Sequence, residues 1–167
     1  MSTSPSSNPN PNPILTAHLR IARSTPSIPS LLDFYTTGLG FRIISSFTAH
    51  NGFDGVMLGH PSLPYHLEFT THYERHKEDE GEGYGRAPTR DNLLVFYIAG
   101  REEWEGAVRR MEDLEKKGGN GEENSVCKSV RSENPWWEQD GKGRTFEDAD
   151  GWRVVLWNGV WDPQTHT

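Results

Sequence analysis

The chain has 167 residues, 33% of them hydrophobic, and a formal net charge of -7, which suits one ordinary domain and is too little for two independent cores. The acidic excess argues against a nucleic-acid duplex or an anionic membrane surface as partner, because both would repel it. A single cysteine, Cys127, excludes an internal disulfide framework and any multi-cysteine metal site.

In chain order, residues 1–12 are a Ser/Pro/Asn stretch with nothing to bury, expected to be a disordered tail. The stretch holds neither a basic residue nor an apolar run, so no secretory or transit signal is legible. No later stretch has the length to span a bilayer, and a cytoplasmic protein is expected. Residues 14–22 alternate, with Leu15, Ala17, Leu19 and Ile21 on one side and Thr16, His18 and Arg20 on the other, which predicts a strand. Ile28, Leu31, Leu32 and Tyr35 then share a helical face that runs out at Gly38 and Gly40. Residues 41–48, 53–59 and 64–71 read as three more strands separated by glycine and proline turns. The polar, Gly-rich residues 72–89 are expected to be a solvated loop between halves; the acidic run within it, 78–82, lacks the spacing of a calcium loop.

The same order then repeats. Residues 93–98 predict a strand, and 101–117 a helix whose stripe is Trp104, Val108, Met111 and Leu114. Residues 126–130, 144–147 and 152–157 predict three further strands, interrupted by SENPWWEQDGKG. Each half is too small to bury its own sheet face. The expected fold is therefore α+β, two β-α-β-β-β modules pairing their sheets into a cup with the helices outside. The domain is placed at 13–160, with module one about 14–71, module two about 91–158, and a C-terminal tail at 161–167.

Particular residues carry a family likeness. LRIARSTPSIPSLLDFYTTGLGF resembles the first strand, helix and helix-ending LGF of a vicinal oxygen chelate module. PYHLEFT resembles the fourth strand of such a module, and FEDADGWRVVLW its closing turn and strand. The resemblance runs from about residue 15 to 157 and covers the glyoxalase, bleomycin-resistance and extradiol-dioxygenase group. It implies a site for one divalent metal, with up to four ligands from the first and last strand of each module, the metal acting as a Lewis acid or redox centre. By position those places are Thr16, Glu68, Leu93 and Val155, of which only Glu68 is a metal ligand by chemistry. The cofactor is therefore left unknown, with a divalent metal not favoured. A homodimer is implied by the resemblance alone.

Strand alternation assigns the remaining lining. Thr16, His18, Arg20, His66, Glu68 and Thr70 face the cup from module one; Leu93, Val95, Tyr97, Arg153, Val155 and Trp157 face it from module two. The opposite faces are apolar and suited to helices. One wall of the cup is polar and the other aromatic or aliphatic, as for an amphipathic small molecule. The ligand-binding candidates are Thr16, His18, Arg20, His66, Glu68, Tyr97, Arg153 and Trp157, with Glu68 also the candidate general base. His18, His66 and Glu68 could alternatively form a displaced facial metal site, or a hydrogen-bonded His–Glu pair. Arg20 and Arg153 would either neutralise an acidic ligand or pair with Glu68 and Glu147. Trp136 and Trp137 would either fold over the cup mouth or pack on the second sheet. The favoured reading is a metal-free binding protein like the bleomycin-resistance branch. The alternatives are a divalent-metal-dependent lyase, isomerase or dioxygenase, and an interaction domain with an inert cup.

Overall fold

Among the described residues, eight short strands with alternating apolar residues form two four-stranded sheets, ordered β1-β4-β3-β2 and β5-β8-β7-β6. The computed structural model describes residues 14, 17–74, 83–118 and 125–163, so the tail at 1–12, Thr16 and the acidic run 78–82 lie outside the described residues. Module one holds β1 (Leu19–Ser24), α1 (Ile28–Asp33), β2 (Arg42–His50), β3 (Phe53–Gly59) and β4 (Tyr65–His72). Module two holds β5 (Leu93–Ile98), α2 (Arg101–Lys117), β6 (Cys127–Val130), β7 (Gly143–Asp148) and β8 (Arg153–Asn158). In both modules the first strand pairs in parallel with the fourth and the other pairings are antiparallel. The two expected modules of one topology are present, in an α+β fold.

One expected element lies elsewhere. β1 runs from Leu19 to Ser24, not from 14 to 22. Its alternation keeps the expected phase, but the parallel pairing with β4 decides which residues enter the sheet. That pairing is bracketed by Leu19 N donating to Pro64 O at 2.9 Å and Thr25 N donating to Thr70 O at 2.9 Å. Leu19, assigned by alternation to the covered face, is 57% exposed because it stands at the strand's open end.

The helices cover one face of the sheets. α1 begins with a proline in its first turn, where a missing N–H costs nothing. It widens over Phe34–Gly38, with Leu39 N donating to Phe34 O at 3.0 Å. Leu31, Phe34 and Tyr35 are completely buried. α2 carries Glu102 and Glu103 in its first turn and Lys116 and Lys117 in its last, the arrangement that complements the helix dipole. Its predicted stripe of Trp104, Val108, Met111 and Leu114 is buried, joined by Ala107. These residues share one core with Leu67, Phe69, Phe146, Val154 and Leu156 from the sheets. Each fully buried large apolar side chain contributes about 1.5–3 kcal/mol. The helices also touch each other at Gly38, where a Cβ would overlap the Met111 sulfur.

A buried polar knot ties the modules together. Arg23 of β1 donates through Nη2 to Asp148 Oδ2 at 2.9 Å and to the Tyr35 hydroxyl at 2.8 Å. The Tyr35 hydroxyl in turn donates to the same carboxylate oxygen at 2.8 Å. Asp148 Oδ1 accepts the backbone N–H groups of Asp150 and Trp152, closing the β7–β8 turn. Burial, then the neighbouring Asp148 charge, raises the Tyr35 pKa well above its ordinary value, so its hydroxyl stays a donor. Residues 83–87 of the connection lie along this knot: Trp152 Nε1 donates to Gly85 O at 3.0 Å and Ala87 N to Asp150 O at 3.0 Å.

Candidate functional site

With Ile21, Leu67, Phe69, Leu94, Phe96, Val154 and Leu156 all turned to the core, the alternate residues of the same strands make up the inner face. On β1 and β4 the rows are Arg20 beside His66 and Ala22 beside Glu68. On β5 and β8 they are Leu93 beside Arg153, Val95 beside Val155 and Tyr97 beside Trp157. Two cavities along the seam between the modules fix the relative run of the two edge strands. One joins Ile21, Ala22 and Arg23 to Leu93 and Leu94. The other joins Phe41 and Tyr65 to Phe96, Tyr97 and Ile98. β1 and β5 therefore run oppositely, and the Arg20 end of β1 meets the Tyr97 end of β5.

Four of the expected residues form one hydrogen-bonded group. His18, just ahead of β1, has Nε2 2.7 Å from His66 Nδ1, the ring centroids 4.9 Å apart. Arg20 Nε donates to His66 Nε2 at 2.9 Å. Arg20 Nη1 lies 3.3 and 3.4 Å from the two oxygens of Glu68. A guanidinium can only donate, so His66 Nε2 must offer its lone pair and the His66 proton sits on Nδ1, donated to His18. The His66 pKa is lowered accordingly: ring burial is the largest cause, the Arg20 and His18 charges add to it, and Glu68 partly opposes it. The Glu68 side chain is only 10% exposed, whereas that of its partner Arg20 is 51% exposed, so the ion pair reaches the surface through the guanidinium.

The module-two candidates divide. Arg153 is 5% exposed and committed: its Nε donates to Glu147 at 2.9 Å, and its Nη1 lies 3.6 Å from Glu133 and 3.4 Å from Arg131 O. Both arginines thus pair with the carboxylates expected of them. Tyr97 and Trp157 instead form an aromatic wall with residues of the 3₁₀ segment Pro135–Gly141. Trp136 stacks on Trp157 at 6.3 Å between centroids and 8° between planes. Trp137 meets Trp157 edge-on at 5.8 Å and Tyr97 at 6.5 Å. Both tryptophans pack on the second sheet. They are seated there by Gly143, where a Cβ would overlap the Trp137 carbonyl, and by Glu138 Oε1 accepting Ser132 N at 2.9 Å. A cavity of about 350 Å3 opens against Tyr97, Trp136 and Trp157, with Asp140, Lys142 and Asn158 at its edge. These last three carry no sequence signal; only the docking of the 3₁₀ segment brings them to the site.

The donor atoms of the inner face can be compared with the metal site implied by the resemblance. The register places Ala22, not Thr16, abreast of Glu68, and Val95, not Leu93, abreast of Val155. Of those four central positions one bears a ligand atom, and among the described residues no three His, Cys, Asp or Glu side chains are grouped to hold a metal ion. The residues present do not fit the four-ligand centre.

Paired β-α-β-β-β modules with this inner face define a member of the vicinal oxygen chelate superfamily. Residues 19–70 match the YycE-like N-terminal domain and residues 91–158 the YycE-like C-terminal domain. The chain belongs to this YycE-like family. It is 37% identical over 142 residues to the YycE protein of Bacillus subtilis (strain 168), covering 85% of this chain and 88% of that one. The crystal structure of B. subtilis YycE, placed with glyoxalase and fosfomycin-resistance proteins, superposes with a TM-score of 0.68 at 36% identity, covering 89% and 93% of the two chains. Two more distant structures share the fold. Leishmania major glyoxalase I has a TM-score of 0.55 at 17% identity, covering 85% and 86%. The fosfomycin resistance protein FosX of Mesorhizobium loti has 0.56 at 9%, covering 89% and 95%.

Proposed function

We propose that this protein binds a small amphipathic organic molecule on the inner face of its sheets, without the four-ligand metal centre of its superfamily. The observation that carries the reading is the hydrogen-bonded group His18–His66–Arg20–Glu68 in module one together with the aromatic wall of Tyr97 and Trp157 in module two. The polar group offers both donors and an acceptor, while the wall offers stacking area; a ligand with an aromatic or apolar body and one polar end satisfies both. With non-donor residues at three of the four central positions, a Lewis-acid role for a metal has no ligand set here.

The test has two arms. A thermal-shift screen of small aromatics and 2-oxo compounds should yield a binder, and Glu68→Gln should stay folded, within about 1–2 kcal/mol of the parent, while losing at least about tenfold in affinity for it. Full retention of affinity would remove Glu68 from the site. In parallel, titration with nickel, zinc, manganese or ferrous iron should reveal no tight stoichiometric site. Near-equimolar metal that is lost on replacing His18 or Glu68 would instead favour a lyase, isomerase or dioxygenase working from His18, His66 and Glu68.

A further inference from the structure

Hydrogen-bond register lays the inner face of module one out in rows across the sheet. The first row is Arg20 of β1, His66 of β4, Gly59 of β3 and Arg42 of β2. The next sets Glu68 beside Met57, and the third sets Gly55 beside Phe47. The two glycines of β3 leave seats that side chains of the edge strand fill. The Phe47 ring takes the space of a Cβ at Gly55, and Ile44 Cδ1 lies 3.4 Å from where a Cβ of Gly59 would stand. Ile44 is nevertheless 45% exposed, and Phe47 and Met57 are half-buried. An apolar shelf of Ile44, Met57 and Phe47 thus runs alongside the polar group on the same sheet.

The unspent atoms of that polar group are donors. His66 Nε2 accepts from Arg20 Nε, and both oxygens of Glu68 face Arg20 Nη1. His18 Nε2 accepts from His66 Nδ1, so the His18 proton stands on its own Nδ1. What is left is that His18 N–H and Arg20 Nη2, both on exposed side chains. Arg42, exposed at the far end of the first row, forms no ion pair among the described residues. Arg20 and Arg42 against Glu68 give these rows a positive excess, in a chain whose net charge is -7.

We infer that the molecule bound on this face carries an oxyanion head, such as a carboxylate, held by Arg20 Nη2 and the His18 N–H, with its apolar body on the shelf of Ile44, Met57 and Phe47. The inference rests on the inner face being the ligand site, as proposed above. A charged acceptor bonds a guanidinium about twice as strongly as a neutral one, whereas an ammonium head would meet donors alone. Glu68 does not repel the head at close range, since its side chain is only 10% exposed and its oxygens are turned to the guanidinium. Arg42 adds to the attraction through its field.

Three probes of one shape separate the head from the body: 3-phenylpropanoate, 3-phenylpropanamide and 3-phenylpropylamine, followed by calorimetry and by the ring resonances of His18 and His66. The acid should bind one to one, move both rings, and exceed the amide by at least about tenfold, with the amine weakest. Arg20→Gln should erase the preference for acid over amide. Arg42→Gln, at an exposed edge position, should reduce that preference about two- to fivefold and make it less sensitive to salt. Phe47→Ser should weaken acid and amide by the same factor. If Arg20→Gln does not fold, Arg42→Gln and the comparison of the three probes decide. Equal affinity for acid and amide, tighter binding of the amine, or a preference unmoved by Arg42→Gln would overturn the inference; if the histidine rings still shift, the inner face remains the ligand site. Binding of the acid without any shift of those rings would overturn it as well. So would saturable binding by none of the three probes, and the broader thermal-shift screen would then decide the inner-face reading separately.

Discussion

At the scale of single residues, the inner face and the seam set ionisable groups to opposite ends. His66 must be neutral at Nε2 to accept from Arg20, and its pKa is lowered by burial first and by the neighbouring cations second. The folded state thus disfavours the protonated ring. The stability this confers is present above the unfolded value of about 6.5 and is lost as the pH falls below it. Ring-nitrogen NMR should find the proton on Nδ1 at neutral pH and a midpoint below that of a free histidine; a proton on Nε2 would contradict the chain of donors. Asp150 is the reverse case. It is 3% exposed, and burial pushes its carboxyl up to about 6, the Thr25 hydroxyl and the charges of Arg23 and Arg86 opposing and Asp148 adding to the rise. Folded chains keep a proton there that unfolded chains release near pH 4, so this carboxyl makes stability fall as pH rises through that interval, the loss being complete above about 6. Asp150→Asn should therefore raise the melting temperature at pH 8, by the equivalent of about 1–2 kcal/mol, and change it little at pH 4. Equal effects at both pH values would show that charge is not the reason.

At the scale of elements, the 3₁₀ segment Pro135–Gly141 decides the character of the module-two wall. Asn134 caps it, its side-chain oxygen accepting Trp136 N at 3.0 Å. Seating depends on Gly143, whose missing side chain makes room for the Trp137 carbonyl. Gly143→Ala should cost about 1–3 kcal/mol by overpacking and should shift the tryptophan emission, because Trp136, Trp137 and Trp157 must separate. An unchanged emission spectrum and melting temperature would mean that the segment adapts without cost. The sequence left open whether the two tryptophans would cap the cup or pack on the sheet, since a Pro-Trp-Trp run is apolar enough for either. The deciding contact, Gly143 against Trp137, is a fit of backbone to backbone that no periodicity encodes.

At the scale of the whole molecule, the knot of Arg23, Tyr35 and Asp148 and the shared core make the two modules one folding unit. Asp148→Asn leaves Arg23 buried without its counter-charge and should cost about 3–5 kcal/mol. Unfolding should remain a single transition, coincident by circular dichroism and tryptophan fluorescence. Two separated transitions in the parent protein would show that each module holds its own core. What the sequence by itself determined was the repeated order of elements, the face of each strand that meets the helices, and the residue types available to the inner face. These follow from the twofold period of strands and the 3.6-residue period of helices, both local properties of the chain. Only the tertiary structure decided how far along each strand the pairing begins, and therefore that Ala22 and not Thr16 stands beside Glu68. It also decided that Arg153 is locked to Glu147 while Arg20 bridges His66 and Glu68, and that Arg23 lies across the seam from Asp148. The physical reason is the same in each case: alternation repeats every two residues and cannot count steps along a strand. Register and cross-module pairing are instead set by hydrogen bonds and charges between segments far apart in the chain.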